Sequence, residues 1–166
     1  MRASEFLNED EPIRIKLNNN DAAKAFIQKV YAKYPQTMQN NPSYNHVLLD
    51  IYDFFEDKIK KFKSLKYHKK IILDPGIGFG KNLKHNLMIL NKISLFHSLG
   101  FPILIGTSRK RFINQISGKY DTKERIGGTL SSIIFSFLQG IKIFRVHNVK
   151  EVKQGLLIFE NLLNNK

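Results

Sequence analysis

Cysteine and tryptophan are both absent from the 166 residues. Without cysteine there is no disulfide framework, no thiolate nucleophile and no cysteine ligand for a metal. Acidic residues are few: 14 Asp and Glu stand against 27 Lys and Arg, a formal net charge of +13. No stretch approaches the ~18 consecutive apolar residues of a transmembrane helix, and the N-terminus lacks the cationic, apolar and small-residue progression of a signal peptide. These absences predict a soluble, cytoplasmic protein with no membrane partner. Arginine is rare as well, 6 residues against 21 lysines, while Ile (20) and Asn (15) abound. Isoleucine, lysine and asparagine belong to A+T-rich codons, so the positive charge reads as compositional bias. Arginine is the residue whose planar fork reads phosphates and bases. Its scarcity argues against a nucleic-acid-binding protein.

What is present suits one domain of ordinary size, with 42% hydrophobic residues to form its core. The first ~40 residues follow no clear period. Residues 1–20 are polar, and 21–33 read as a helix, with a weaker reading of 27–33 as a strand. Tyr34-Pro35 and Asn40-Asn41-Pro42 bring turn chemistry. The pattern then becomes regular. Residues 44–66 carry Val47, Leu48, Ile51, Phe54, Phe55, Ile59 and Phe62 at helical spacing. Ile71-Ile72-Leu73 is a short apolar run bounded by charge and by Pro75-Gly76, which reads as a buried strand. A helix over 84–99 closes at Gly100, a second strand runs from Phe101 to Gly106, and a short helix follows over 109–117. A helix over 124–139 closes at Gly140, Lys142 to Val146 forms the third strand, and the last helix covers 149–163. Its predicted buried face carries Val152, Leu156, Phe159 and Leu163. Strand and helix in alternation mean a parallel α/β sheet with right-handed crossovers.

Polar residues gather just past the C-terminal end of each strand. The first delivers Asp74 and then Pro75-Gly76-Ile77-Gly78-Phe79-Gly80-Lys81, the second Thr107-Ser108-Arg109-Lys110, and the third Arg145 and His147. Ligands bind at that edge of a parallel sheet or barrel, because the loops and helix N-termini face it. The Gly-x-Gly-x-Gly-Lys loop lacks P-loop spacing and reads equally well as a tight turn. A carboxylate at a buried strand end needs hydrogen-bond donors, which Asp74 must find. Arg145 and His147 alternate with Val146, which puts both on one face, where a bound phosphate is their natural partner. His46, His68, His85 and His97 read as solvated residues without a role, and Lys81 and Lys84 as surface charges. Asp74, Lys110, Arg145 and His147 are expected within ~10 Å of one point, the span of a small-ligand pocket.

At these residues the sequence resembles the dihydropteroate synthase family. Three segments carry the likeness: Ile72-Leu73-Asp74-Pro75-Gly76-Ile77-Gly78-Phe79-Gly80-Lys81, Gly106-Thr107-Ser108-Arg109-Lys110, and Arg145-Val146-His147. Pro35-Gln36-Thr37-Met38-Gln39, His85-Asn86-Leu87 and Glu124-Arg125 also fit. Asn148 stands where the family usually has Asp. The resemblance implies a partial TIM (β/α)8 barrel, about the last three to four βα units, since a complete barrel takes ~250 residues. It sets residues 35–166 apart as a truncated pterin-binding domain and 1–34 as a non-matching segment, helical or disordered.

The implied activity is that of a transferase of folate biosynthesis. It condenses 6-hydroxymethyl-7,8-dihydropterin diphosphate with p-aminobenzoate, giving 7,8-dihydropteroate and pyrophosphate, with Mg²⁺ assisting. By resemblance the catalytic residues are Lys110, Arg145 and His147, and the substrate-binding residues are Asp74, Gly78, Phe79, Ser108, Lys110, Arg145 and His147. No protein residue is a metal ligand in this reading; Mg²⁺ is expected on the substrate diphosphate and on parts of the barrel outside this chain. The resemblance leaves open a companion chain carrying strands one to four and a homodimer formed through the C-terminal helices, as well as activity of the chain alone. A non-catalytic remnant, or a subunit needing that companion, is the alternative of the same ancestry.

Overall fold

The computed structural model of the chain describes residues 43–64, 71–118 and 121–164. The expected helix over 21–33, the weak strand over 27–33, the Pro35–Gln39 segment and His68 lie outside these residues.

The sheet is parallel, as the alternation requires. Strand β1 (Leu104–Ile105) pairs with β2 (Ile143–Phe144) in parallel, with Leu104 opposite Ile143 and Ile105 opposite Phe144. On the other side of β1, Leu73 forms one parallel bridge with Ile103. Its N–H donates to Pro102 O at 2.9 Å and its carbonyl accepts from Leu104 N at 2.8 Å. The three segments therefore lie side by side in chain order, with helices on each crossover. The paired stretches are shorter than the apolar runs that predict them. Among the described residues only the middle segment has a neighbour on both sides, and past Leu73, Ile105 and Phe144 the backbone turns into loops.

Helix α1 (Val47–Ser64) buries Val47, Leu48, Ile51, Phe55 and Ile59, the stripe visible in the sequence. Asp50 Oδ2 accepts from Asn45 N at 2.9 Å and satisfies a free donor at the helix start. Helix α2 (Leu83–Asn91) is capped by Asn82, whose side chain accepts from His85 N at 2.8 Å. The single helix expected over 84–99 is in fact two elements. After Lys92 (φ −123°, ψ 25°) the chain tightens into a 3₁₀ helix, Ile93–Leu99. Three residues per turn put Ile93 and Phe96 over one another, and both are fully buried. Gly100 ends the element in the left-handed conformation, φ 76°, as its position predicts.

Helix α3 (Arg111–Ser117) follows β1. The next expected helix is preceded by a 3₁₀ turn, Thr122–Glu124, in which Asp121 and Glu124 form a capping box; helix α4 then spans Ile126–Leu138. Gly128 lets α4 approach α3, since a Cβ there would stand 2.3 Å from Ile113 Cγ2. Helix α5 (Val149–Asn164) packs on α4 through Phe159, whose ring meets that of Phe137 edge-on at 6.2 Å. Val152 is buried in α5, but Leu163 is 48% exposed, so the predicted apolar face loses its cover toward the C-terminal end.

The core runs between α1, α2, the first 3₁₀ helix and the sheet. Phe96, Ile89, Ile93, Ile105 and Ile141 have no exposed surface. Phe55 meets Phe96 edge-on at 5.6 Å and joins α1 to that centre. Among the described residues no helix is long and apolar enough to cross a membrane. The packed helices hold the C-terminal ends of the three parallel segments together, and the site forms there.

Candidate active site

The glycine loop after Leu73 has a built conformation. Gly76, Gly78 and Gly80 take φ of 68°, 81° and 56°, a region that L side chains enter at a cost. Asp74 Oδ1 accepts from Gly76 N at 2.9 Å, and Phe79 N donates to Gly76 O at 3.1 Å to close a turn. Buried Asn86 reaches up from α2: its Oδ1 accepts from Gly78 N at 2.7 Å while its Nδ2 donates to Asn82 O at 2.8 Å. Tyr44 Oη donates to Gly80 O at 3.0 Å.

Lys81 is not a surface charge. Its Nζ turns back into the loop and donates to Gly76 O at 3.1 Å and Phe79 O at 3.0 Å. Burial lowers its pKa to about 8; Asp74 opposes the shift and Lys110 adds to it. His85 is not simply solvated either. Its Nδ1 is buried without a hydrogen-bond partner, its ring meets Tyr44 edge-on at 5.0 Å, and burial, with Lys81 and Lys84, lowers its pKa. Lys84 is exposed, as read. His97 Nε2 lies 2.9 Å from Gln139 O, away from the site.

The loop after β1 carries the second group. Arg109 stands at φ 61°, the one described non-glycine residue with a left-handed backbone. Thr129 Oγ1 accepts from its N–H at 3.1 Å, its carbonyl accepts from Arg125 Nη1 at 3.1 Å, and its Nη2 donates to Asn148 Oδ1 at 2.8 Å. These bonds hold a strained residue between Ser108 and Lys110. The Lys110 Nζ sits 3.6 Å from the centre of the Phe79 ring, a cation–π contact. A Cβ on Gly78 would stand 2.9 Å from Lys110 Cδ, so the lysine lies across a position whose left-handed backbone already favours glycine. Burial lowers the Lys110 pKa, Arg145 adds to the shift, and Asp74 opposes it.

The third group follows β2. Arg145 Nη2 lies 3.0 Å from Asp74 Oδ2, and Gly106 leaves room for it, because a Cβ there would come within 3.1 Å of Nη2. Ser108 Oγ accepts from His147 N at 3.2 Å and lies 2.9 Å from His147 Nδ1. A cleft of about 340 Å³ opens between Phe79, Gly106, Ser108, Lys110, Arg145, Val146 and His147. Val146 lines it beside its neighbours, contrary to strict alternation, because the β2 ladder has already ended at Phe144.

The structure thus brings Phe79, Ser108, Lys110, Arg145 and His147 around one cleft and pairs Asp74 with Arg145. Gly78 contributes backbone and space rather than a side chain. Sequence reasoning gives no structural role to Asn86, Tyr44 and Lys81, which organise the loop, although Asn86 and Lys81 fall in segments that carry the family likeness. Asn86 left a signal, since a polar residue on the apolar face of α2, beside Ile89 and Leu90, must have buried partners. Mg²⁺ finds no protein cage here. Among the described residues no three His, Asp or Glu side chains gather for a metal, and both Asp74 oxygens are engaged by Gly76 and Arg145.

The chain as a whole is similar to known proteins. Dihydropteroate synthase of Escherichia coli (strain K12) is 38% identical over 133 residues, 80% of this chain and 47% of that protein. The crystal structure of dihydropteroate synthase from Thermus thermophilus in complex with 6HMPPP superposes with a TM-score of 0.74 at 35% identity, covering 78% of this chain and 51% of that one. The same enzyme in complex with 4-aminobenzoate gives 0.73 at 35% identity, covering 76% and 49%. The chain spans about half the length of the relatives it matches. These likenesses give its parallel sheet and crossover helices the fold of a TIM barrel. Residues 9–147 match the family model described as pterin binding enzyme. That match starts well ahead of Pro35 and takes in most of the segment that the motifs alone leave apart. The chain belongs to the pterin binding enzyme family.

Proposed function

We propose that this chain supplies the pterin- and diphosphate-binding part of a dihydropteroate synthase, the last three to four βα units of its barrel. The observation that carries the reading is the convergence of Lys110, Arg145 and His147 on a single cleft at the strands' C-terminal edge, with the Asp74 carboxylate paired to Arg145. In the reaction, the bond from the pterin methylene to the diphosphate oxygen breaks, a bond to the p-aminobenzoate nitrogen forms, and that nitrogen loses a proton. Pyrophosphate leaves as an anion, so the site needs fixed positive charge and hydrogen-bond donors rather than a nucleophile. Arg145, His147 and Ser108 hold the diphosphate. Asp74 accepts from ring N–H groups, for which a carboxylate is the matched acceptor. Lys110, on the Phe79 ring, contacts the pterin and orients p-aminobenzoate. Mg²⁺ would be held by the substrate's own diphosphate rather than by these residues. The solved relatives with 6HMPPP and 4-aminobenzoate support this choice of substrates.

The remaining pterin partners come from further barrel strands, carried by a companion polypeptide or by residues outside those described. Among the described residues the sheet has no strand beyond Leu73 or β2, which favours that reading. Exposed Leu157, Ile158, Leu162 and Leu163 on α5 favour self-association through the C-terminal helices. The setting is cytoplasmic folate synthesis, and nucleic acid has no part in it. Calorimetric titration of the chain with inorganic pyrophosphate tests the anion site. Binding in the millimolar range or tighter is expected, with a loss of at least tenfold when Arg145→Ala and His147→Ala are combined, since each removes a charge-assisted contact worth roughly 1–3 kcal/mol. Equal binding by the double variant would refute the assignment.

A further inference from the structure

Two charged groups that the site offers to different parts of its ligand are bound to each other. Arg145 Nη2 is 3.0 Å from Asp74 Oδ2. The other carboxylate oxygen, Oδ1, is fixed by Gly76 N at 2.9 Å. The Asp74 side chain is 20% exposed and that of Arg145 55%, so the carboxylate is the anchored partner and the guanidinium the free-ended one. Neighbouring cations are turned elsewhere. Lys110 Nζ rests over the Phe79 ring, and Lys81 Nζ is held by the carbonyls of Gly76 and Phe79. Ser108 and His147 are bonded to each other and stay out of the exchange.

We infer that Asp74 competes with the bound anion for Arg145, so that the ion pair couples the two halves of the ligand. An anion that draws Arg145 away frees Oδ2 to accept a heterocycle N–H, and a heterocycle that takes Oδ2 frees Arg145 for the anion. The heterocycle half of this statement rests on the proposed function; the competition for Arg145 does not. Such coupling is reciprocal: each ligand tightens the other by the same factor. The pair is half open to water, so the factor is small, about two- to fivefold.

A double-mutant cycle on the full chain, read by pyrophosphate calorimetry, tests the competition. Asp74→Asn keeps an acceptor for Gly76 N but no longer holds Arg145 as an ion pair. It is expected to tighten pyrophosphate by about two- to fivefold, the reverse of what losing a ligand-binding residue gives. In an Arg145→Gln background the same change is expected to give no gain. An equal gain in both backgrounds would be the plain field effect of removing a negative charge, and would overturn the inference. So would no gain at all, or no pyrophosphate binding by any of these proteins. Asp74→Ser, which also offers Gly76 an acceptor, takes the place of the Asn variant if circular dichroism finds the latter unfolded. On the wild-type chain, saturating pyrophosphate should tighten the binding of pterin by the same factor. Pterin binding that ignores pyrophosphate overturns the coupling. If pterin fails to bind under any condition while the cycle behaves as expected, the proposed function falls and the competition for Arg145 stands.

Discussion

Lys81 is the residue whose role is least visible in the sequence. As the last member of a glycine loop it reads as a surface charge, yet its Nζ donates to Gly76 O and Phe79 O inside that loop. Its burial depends on how the loop closes and on Tyr44, far earlier in the chain, so no local pattern announces it. Two acceptors match the two N–H groups of a neutral amine, which fits a pKa lowered to about 8 by burial. Asp74 faces the amine and opposes the shift, and Lys110 adds to it. The consequence for stability has a definite sign. Between pH 8 and the ordinary lysine value near 10.5 the unfolded chain binds the proton more tightly than the folded one, so this group's contribution rises with pH and is lost as pH falls through about 8. Wild type should therefore gain on Lys81→Met by an amount on the order of 2 kcal/mol between pH 7.5 and pH 10. Urea unfolding of both proteins at the two pH values measures this, and a constant gap would show that Lys81 is not held as described. By contrast Asp74, Ser108, Lys110, Arg145 and His147 were legible, because each lies within a few residues of an apolar run and so at the strands' C-terminal edge.

Helix α2 carries much of what fixes the loop, and it was only half legible. Its start at Leu83 lies one residue from the expected 84, and Ile89 and Leu90 are buried as its apolar positions require. Its end was not legible, because Ile93, Phe96 and Leu99 are spaced by three and suit an α-helix or a 3₁₀ helix over so short a stretch; packing of Ile93 and Phe96 into the core selects the tighter form. Asn86 ties the helix to the glycine loop by accepting from Gly78 N and donating to Asn82 O. Asn86→Ala removes an acceptor from Gly78 and leaves the helix's own carbonyl without its side-chain donor. Part of the loss is made good by water at exposed Gly78, so the expected cost is about 1–2 kcal/mol in chemical denaturation. Because Gly78 is the position over which Lys110 lies, the same variant should also weaken pterin binding, whereas Asn82→Ala, which costs about 1 kcal/mol by loss of the cap, should leave ligand binding near its wild-type level. Equal effects of the two variants on binding would mean that Asn86 acts only through helix stability.

For the molecule as a whole, the parallel order of three segments was legible from apolar runs punctuated by glycine and proline, whereas the extent of pairing was not. Ladder length depends on neighbours, and among the described residues Leu73 and β2 each have a strand on one side only. A barrel abolishes such edges by closure, and it also delivers side chains to the mouth from every strand. The described site supplies one ring acceptor, Asp74, and an anion pocket, while the family relatives extend over about twice the matched length. A pterin ring bound with two of its donors or acceptors unpaired loses roughly 1–3 kcal/mol for each, a hundredfold or more in affinity together. Turnover suffers further when the amine is not oriented and the reacting carbon is not shielded from water. The purified 166-residue chain is therefore expected to form no detectable dihydropteroate from the pterin diphosphate and p-aminobenzoate in the presence of Mg²⁺. Adding a polypeptide with the first four strands of a dihydropteroate synthase should restore product formation, with a rate that saturates as the two chains associate. Robust turnover by the chain alone would instead mean that its own residues, or a second copy, complete the pocket; the dependence of rate on protein concentration separates these, since assembly of two copies gives a steeper than linear rise and a self-sufficient chain a linear one.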